Sequence, residues 1–177
     1  SDLMMLTSFG AAGAAELAGA LSRVPIYVLA AGRAVAAQLP ADRLDAVLPA
    51  EPFPGVEQLL ASLNEAAPTS AYLAGFHPQP DPGAAVPRTR AELEAELEEI
   101  RSGGFARDHG GIHPSLHCIA APWPTDTLPA AFACFGSRER IEADAALIES
   151  TLRAATKPGA TAQDVLDAAS AARSPNS

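Results

Sequence analysis

TRAELEAELEEIRSGGFARDHGGIHPSLHCIAAP, residues 89–122, is the stretch whose reading decides the fold. Its first half spells a helix. Thr89 with Glu92 three positions on forms a capping box, in which each side chain satisfies a backbone N–H that the first helical turn leaves unpaired. Leu93, Leu97 and Ile100 then recur on one helical face while acidic residues fill the other. Gly103 and Gly104 stop the helix, since glycine enters the left-handed cap conformation without steric cost. After Phe105 comes a polar, glycine-rich stretch to His117, read as a loop. Residues 118–121 are a compact apolar run, read as a buried strand. Pro122 to Asp126 make a turn, and residues 130–136 are the returning strand.

Downstream, residues 141–155 predict one amphipathic helix with Ile141, Ala145, Ile148 and Leu152 on one face. Pro158-Gly159 ends it, and residues 158–177 form a helical or disordered tail, helical over about 161–171. Upstream, residues 3–9 read as a strand, and residues 14–23 are open between helix and strand. Pro25 to Leu29 are an extended or helix-leading segment. Residues 30–39 predict a helix ended by Pro40, and residues 42–48 a second short one. Residues 49–87 hold eight of the sixteen prolines and carry one plausible helix at 56–64, while 77–87 read as a surface loop. Strand, helices, helix, strand, strand, helix is not a regular βαβ series. It favours an α+β fold, an antiparallel sheet covered by helices.

The chain has 177 residues, 12 basic against 21 acidic, for a net charge of −9. Such a surface is repelled by phosphate backbones, which disfavours direct nucleic-acid binding by this chain alone. Lys157 is the only lysine. No uncharged apolar run reaches the roughly 18 residues a membrane helix needs. Two cysteines are too few for a disulfide-stapled secreted fold, so the cytoplasm is the default compartment.

Residues 89–122 resemble the effector-binding domain of IclR-type transcriptional regulators. In that family a helix of this kind leads to a Gly-aromatic step, an acidic loop and a Cys-Ile-Ala-Ala-Pro strand. Here these are Gly104-Phe105, the loop from Asp108, and Cys118 to Pro122. Residues 25–34, PIYVLAAGRA, are similar to the family's Pro-Leu-His-Ala-Thr-Ala-Leu-Gly-Lys-Ala segment. The resemblance covers most of residues 1–157 and is weak over 49–87, a divergent proline-rich insertion. It implies a GAF-like fold: a curved antiparallel sheet flanked by helices on both faces, with a strand pair over 3–24 that overrides the helical propensity of 14–23. It implies a small-molecule sensor that forms homodimers or homotetramers. It also implies a winged helix-turn-helix domain ahead of it, which this chain lacks. The chain is therefore expected to be a piece of a longer protein, meeting DNA only through that other domain.

By the same resemblance, Asp108 and Cys118 face the effector. Leu29 and Gly32 border the pocket, and Ala133 and Phe135 stand where family members carry carboxylate-binding serines. A pocket for a small oxo-acid needs hydroxyl and amide donors to replace water around the carboxylate. Leu29, Ala133 and Phe135 offer none, so the expected effector is larger or more apolar. The plainer readings stay open: Cys118 as a core thiol, and Asp108 as a turn cap. The alternative overall is a GAF-like module whose pocket is filled by its own side chains and which serves only dimerisation.

His109, His113 and His117 are spaced by four beside Cys118. Gly110, Gly111 and Pro114 forbid the helix that would stack them into a metal site, so no metal or other cofactor is expected. The four remain metal candidates of last resort, and His109 and His117 are instead expected to line the effector pocket. No enzyme is expected. Ser115 lacks a G-x-S-x-G context, and no glycine pair here belongs to a phosphate loop. Neighbours on a strand point to opposite faces, so Cys118 and His117 make a poor nucleophile–base pair. Trp123, between two prolines, reads as a turn residue packed over the sheet edge.

Overall fold

The computed structural model describes residues 24–59, 86–111, 114–123, 125 and 128–173. Helices α1 (Ala30–Ala36), α2 (Ala41–Val47) and α3 (Arg90–Gly103) precede strands β1 (Ala106–His109), β2 (Leu116–Trp123) and β3 (Ala130–Ser137). Helices α4 (Arg138–Ala143), α5 (Ala145–Ala155) and α6 (Ala162–Arg173) follow. The strand expected at 3–9, the pair over 3–24 except residue 24, and the loop at 77–87 except residues 86 and 87 lie outside the described residues.

Helix α3 forms for the reasons its sequence gives. Thr89 and Glu92 make both capping-box bonds, and Gly104 closes the helix at φ 81°. Leu93, Leu97 and Ile100 are buried. Arg90 and Arg101 pair with Glu94 and Glu98 along the exposed face, contacts that contribute little individually.

The strands form an antiparallel sheet in the order β1-β2-β3. Asp108 stands opposite Cys118 and His109 opposite His117, while Cys118 and Ala120 stand opposite Phe135 and Ala133. Cross-strand partners share a face, so the register sorts every side chain. One face carries Ala106, Asp108, Cys118, Ala120, Ala133 and Phe135 beneath α1. Its core joins Ala106 and Ala120 to Ala30, Ala34, Leu93 and Leu97. The other face carries Ile119 and Ala121 against Phe105, Ile141 and Leu152, with Cys134, Ala145 and Ile148 alongside. Helices therefore cover both faces, as an α+β sheet of this kind requires.

The structure corrects four sequence readings. Residues 106–109 are a strand rather than a loop: polar Arg107 and His109 point outward while Ala106 and Asp108 are buried. The helix expected over 141–155 is two, because Asp144 (φ −102°, ψ 11°) leaves the helical region between α4 and α5. Its four apolar positions still share one core. Helix α1 stops at Ala36, and Gln38 and Leu39 make tighter i−3 bonds to Val35 and Ala36 before Pro40. Trp123 ends β2 and packs on Phe132, ring centroids 4.7 Å apart.

The start of the proline-rich segment is docked. Phe53 is buried against Tyr27, whose hydroxyl donates to the Pro54 carbonyl at 2.8 Å. Arg88 Nε donates to the Phe53 carbonyl at 2.7 Å. Residues 25–28 make a turn, closed by Val28 N–H donating to the Pro25 carbonyl.

Candidate functional site

Asp108, Cys118 and Phe135 form one row across the three strands on the α1 face, and Ala133 sits in the next row. Leu29, the N-cap of α1, belongs to the apolar cluster on which Cys118 packs. Five of the eight expected effector residues are thus brought to one side of the sheet. Asp108 is buried, and its Oδ1 accepts a hydrogen bond from Gly111 N–H at 2.7 Å. That bond closes the turn after β1, with Gly110 at φ 92°. Asp108 therefore caps its own turn while presenting a carboxylate to the face.

Gly32 serves backbone packing. A Cβ there would collide with the Ile26 carbonyl oxygen and lie 2.9 Å from its carbon. Glycine is what lets the 25–29 turn fold back against α1.

The charged residue that sequence reasoning passed over is Arg33. It is only 4% exposed, in the middle of an alanine-rich helix. Nη1 donates to the carbonyls of Tyr27 and Val28, and Nη2 to that of Arg107 on β1 at 2.7 Å. Nε lies 2.9 Å from Glu96 Oε2, an ion pair without hydrogen-bond alignment. One guanidinium thus ties the turn, α1, α3 and β1 together. Burial pushes the Glu96 carboxyl above its usual range, and Arg33 opposes this. The nearby charges of Glu99 and Asp108 push it further up.

Both cysteines are unbridged and sit on opposite faces of the sheet, Cys118 toward α1 and Cys134 toward α5. Burial raises both thiols above their ordinary value of 9.0, and Asp108 adds to the rise at Cys118. Raised thiols hold their protons longer in the folded chain than in the unfolded one. Stability is therefore unaffected by them below about pH 9 and falls as pH rises beyond it. We expect Cys118 in the folded chain to label slowly at pH 8, and Cys118→Ala to flatten the alkaline fall in denaturation midpoint. Labelling at the rate of a free cysteine would contradict this.

His109 and His117 lie on the opposite face from Asp108 and Cys118. The sheet separates them from the α1 side, and Cys118 cannot join them in a metal site. His113 lies outside the described residues. Among the described residues no three His, Cys, Asp or Glu side chains converge on a metal position.

A cleft of about 330 Å³ lies elsewhere, lined by Gln38, Arg101, Gly104, Phe105, Arg153 and Thr156 among others. The C-terminal ends of α1, α3 and α5 meet there. Their carbonyl ends carry partial negative charge, which Arg101 and Arg153 offset. Arg101 Nε donates to the Ala37 carbonyl, and Arg153 stacks on Phe105 at 4.8 Å. Arg101 thus completes the end of α1, and Arg153 is held over the Phe105 ring.

Neither a family model nor a curated protein matches this sequence. Solved structures do match its fold. The IclR of Thermotoga maritima aligns over 96% of this chain and 52% of its own, at 16% identity and a TM-score of 0.50. A transcriptional regulator of Rhodococcus sp. RHA1 aligns over 84% of this chain and 49% of its own, at 21% identity and a TM-score of 0.50. An IclR-type regulator of Silicibacter sp. TM1040 aligns over 84% and 47%, at 20% identity and a TM-score of 0.48. This chain spans about half the length of these regulators, and the likeness is one of fold. The Rhodococcus structure is of a transcriptional regulator and the Thermotoga maritima structure of an IclR. Among the described residues, no helix is long and apolar enough to cross a membrane.

Proposed function

We propose, from a fold shared with IclR-type transcriptional regulators, that this chain is the small-molecule-sensing and oligomerisation domain of such a regulator, without catalytic activity. Its effector binds on the α1 face against Leu29, Asp108, Cys118, Ala133 and Phe135. Binding changes how subunits sit relative to one another, and so how a DNA-binding domain elsewhere in the protein engages DNA. The acidic surface, net charge −9, fits a chain that leaves DNA contact to another part.

The observation that carries the effector class is the spent arginine. Both Nη nitrogens of Arg33 donate to carbonyls, and Nε is ion-paired with Glu96 without a hydrogen bond. Leu29, Ala133 and Phe135 offer no donor, and Asp108 adds a negative charge. A small oxo-acid gives up carboxylate hydration on binding, and Leu29, Ala133 and Phe135 supply no side-chain donor to replace it. An aromatic molecule, neutral or bearing a donor for Asp108, buries apolar surface against Phe135 instead.

A thermal-shift panel of aromatic amides, matched aromatic acids, glyoxylate and pyruvate tests this. The amides are expected to raise the melting temperature most. Stabilisation by the small oxo-acids alone would overturn it.

One observation favours a second reading. Ala106 and Ala120 are wholly buried beneath α1, so part of this face is already closed by the chain itself. In that reading the module serves only subunit association, and no compound in the panel shifts its melting.

A further inference from the structure

We propose that His109 and His117 form a cross-strand chelate for one divalent transition-metal ion of the zinc or nickel class. The two are direct partners on antiparallel strands and share the face opposite Asp108 and Cys118. Such partners hold their Cβ atoms roughly 5 Å apart, close enough for two imidazoles to reach one ion. Their rings already meet edge to face with centroids 5.5 Å apart.

His117 is the unexplained group. It is 3% exposed, and among the described residues neither ring nitrogen has a hydrogen-bond partner. A buried polar side chain left in that state costs stability unless something satisfies it. Glu142 on α4 places Oε1 3.9 Å from His117 Nδ1, a near approach rather than a bond. Closed to hydrogen-bond distance, that carboxylate would hold the proton on Nδ1 and leave Nε2 as the ligand, the usual outer arrangement around a metal-bound histidine. His109 is exposed, so an ion can enter beside it and water can complete the coordination.

The surrounding charges do not oppose a cation. Arg138 pairs with Glu142 at 3.0 Å, and Arg107 pairs with Glu149. Cys118 faces away, so the donors are nitrogen and oxygen only. That set suits Zn²⁺ or Ni²⁺ better than a metal seeking thiolates. Two protein ligands make a binder of modest affinity, consistent with the absence of a three-residue cluster among the described residues.

The test titrates the untagged full chain, stripped with a chelator, with Zn²⁺ and then Ni²⁺ by calorimetry, and follows melting in parallel. One ion per chain and a higher melting temperature are expected. His109→Ala, at an exposed position, should abolish both effects while leaving metal-free melting unchanged. Glu142→Gln should weaken binding about tenfold. His113→Ala and Cys118→Ala should leave it intact. The assignment is overturned if saturable binding is absent at millimolar metal, survives His109→Ala, or is lost in His113→Ala or Cys118→Ala. Because the site lies on the opposite face from the proposed effector site, its failure leaves the effector reading standing.

Discussion

Gly32→Ala is expected to lower the unfolding free energy by about 3 kcal/mol, a large part of what holds a domain this size together. The added methyl meets the Ile26 carbonyl, which is backbone and cannot swing aside as a side-chain tip would. Relief requires moving the 25–29 turn, and that turn carries Tyr27, fully buried between Phe53 and the Pro54 carbonyl. The displacement therefore spreads into the docked proline-rich segment. Chemical denaturation reads the effect as a lower midpoint. A loss below about 1 kcal/mol would mean that the turn and α1 are not tightly apposed.

Arg33→Met is expected to cost about 3–5 kcal/mol, the usual result of removing one partner from a buried ion pair. Methionine fills much of the volume, so the cost comes from what is stranded. The carbonyls of Tyr27, Val28 and Arg107 lose their donor, and half-buried Glu96 loses its counter-charge. Arg33→Lys should not rescue it, because an ammonium cannot reach the same partners with the geometry of a planar fork. Arg33→Met combined with Glu96→Leu should recover part of the loss by removing the stranded carboxylate. A single-variant cost under 1 kcal/mol would show that the guanidinium is not the tie between α1, α3 and β1.

These two neighbours show where sequence reading reaches and where it stops. Helix α3 is legible because its determinants are local: the Thr89–Glu92 box, the spacing of Leu93, Leu97 and Ile100, and Gly104 at the end. The return strand β3 is legible from the turn before it, and the shared apolar face of α4 and α5 from its helical period. Strand β1 is not. Ala106-Arg107-Asp108-His109 carries no apolar alternation, and pairing with β2 makes it a strand. The importance of Arg33 is hidden for the same reason. Nothing local distinguishes a cation that snorkels to water from one that donates to a strand 74 residues away in sequence.

Family resemblance names Asp108, Cys118 and Phe135 as candidates, and the sheet register and core packing place five of the eight candidates on one face. His109 and His117 were grouped with that row by proximity in sequence. Strand parity decides otherwise: His117 and Cys118 are neighbours and must point apart. Once β1 is known to pair with β2, His109 follows His117 to the far side.

The most direct test of the proposed sensing role is amide shift mapping by two-dimensional NMR, titrating the full chain with the aromatic amide from the panel and, separately, with pyruvate. Saturable shifts at Asp108, Cys118, Ala133 and Phe135 with the amide, and none there with pyruvate, are the predicted result. Saturable shifts at those residues with pyruvate alone, or amide shifts confined to the His109 and His117 face, would contradict it.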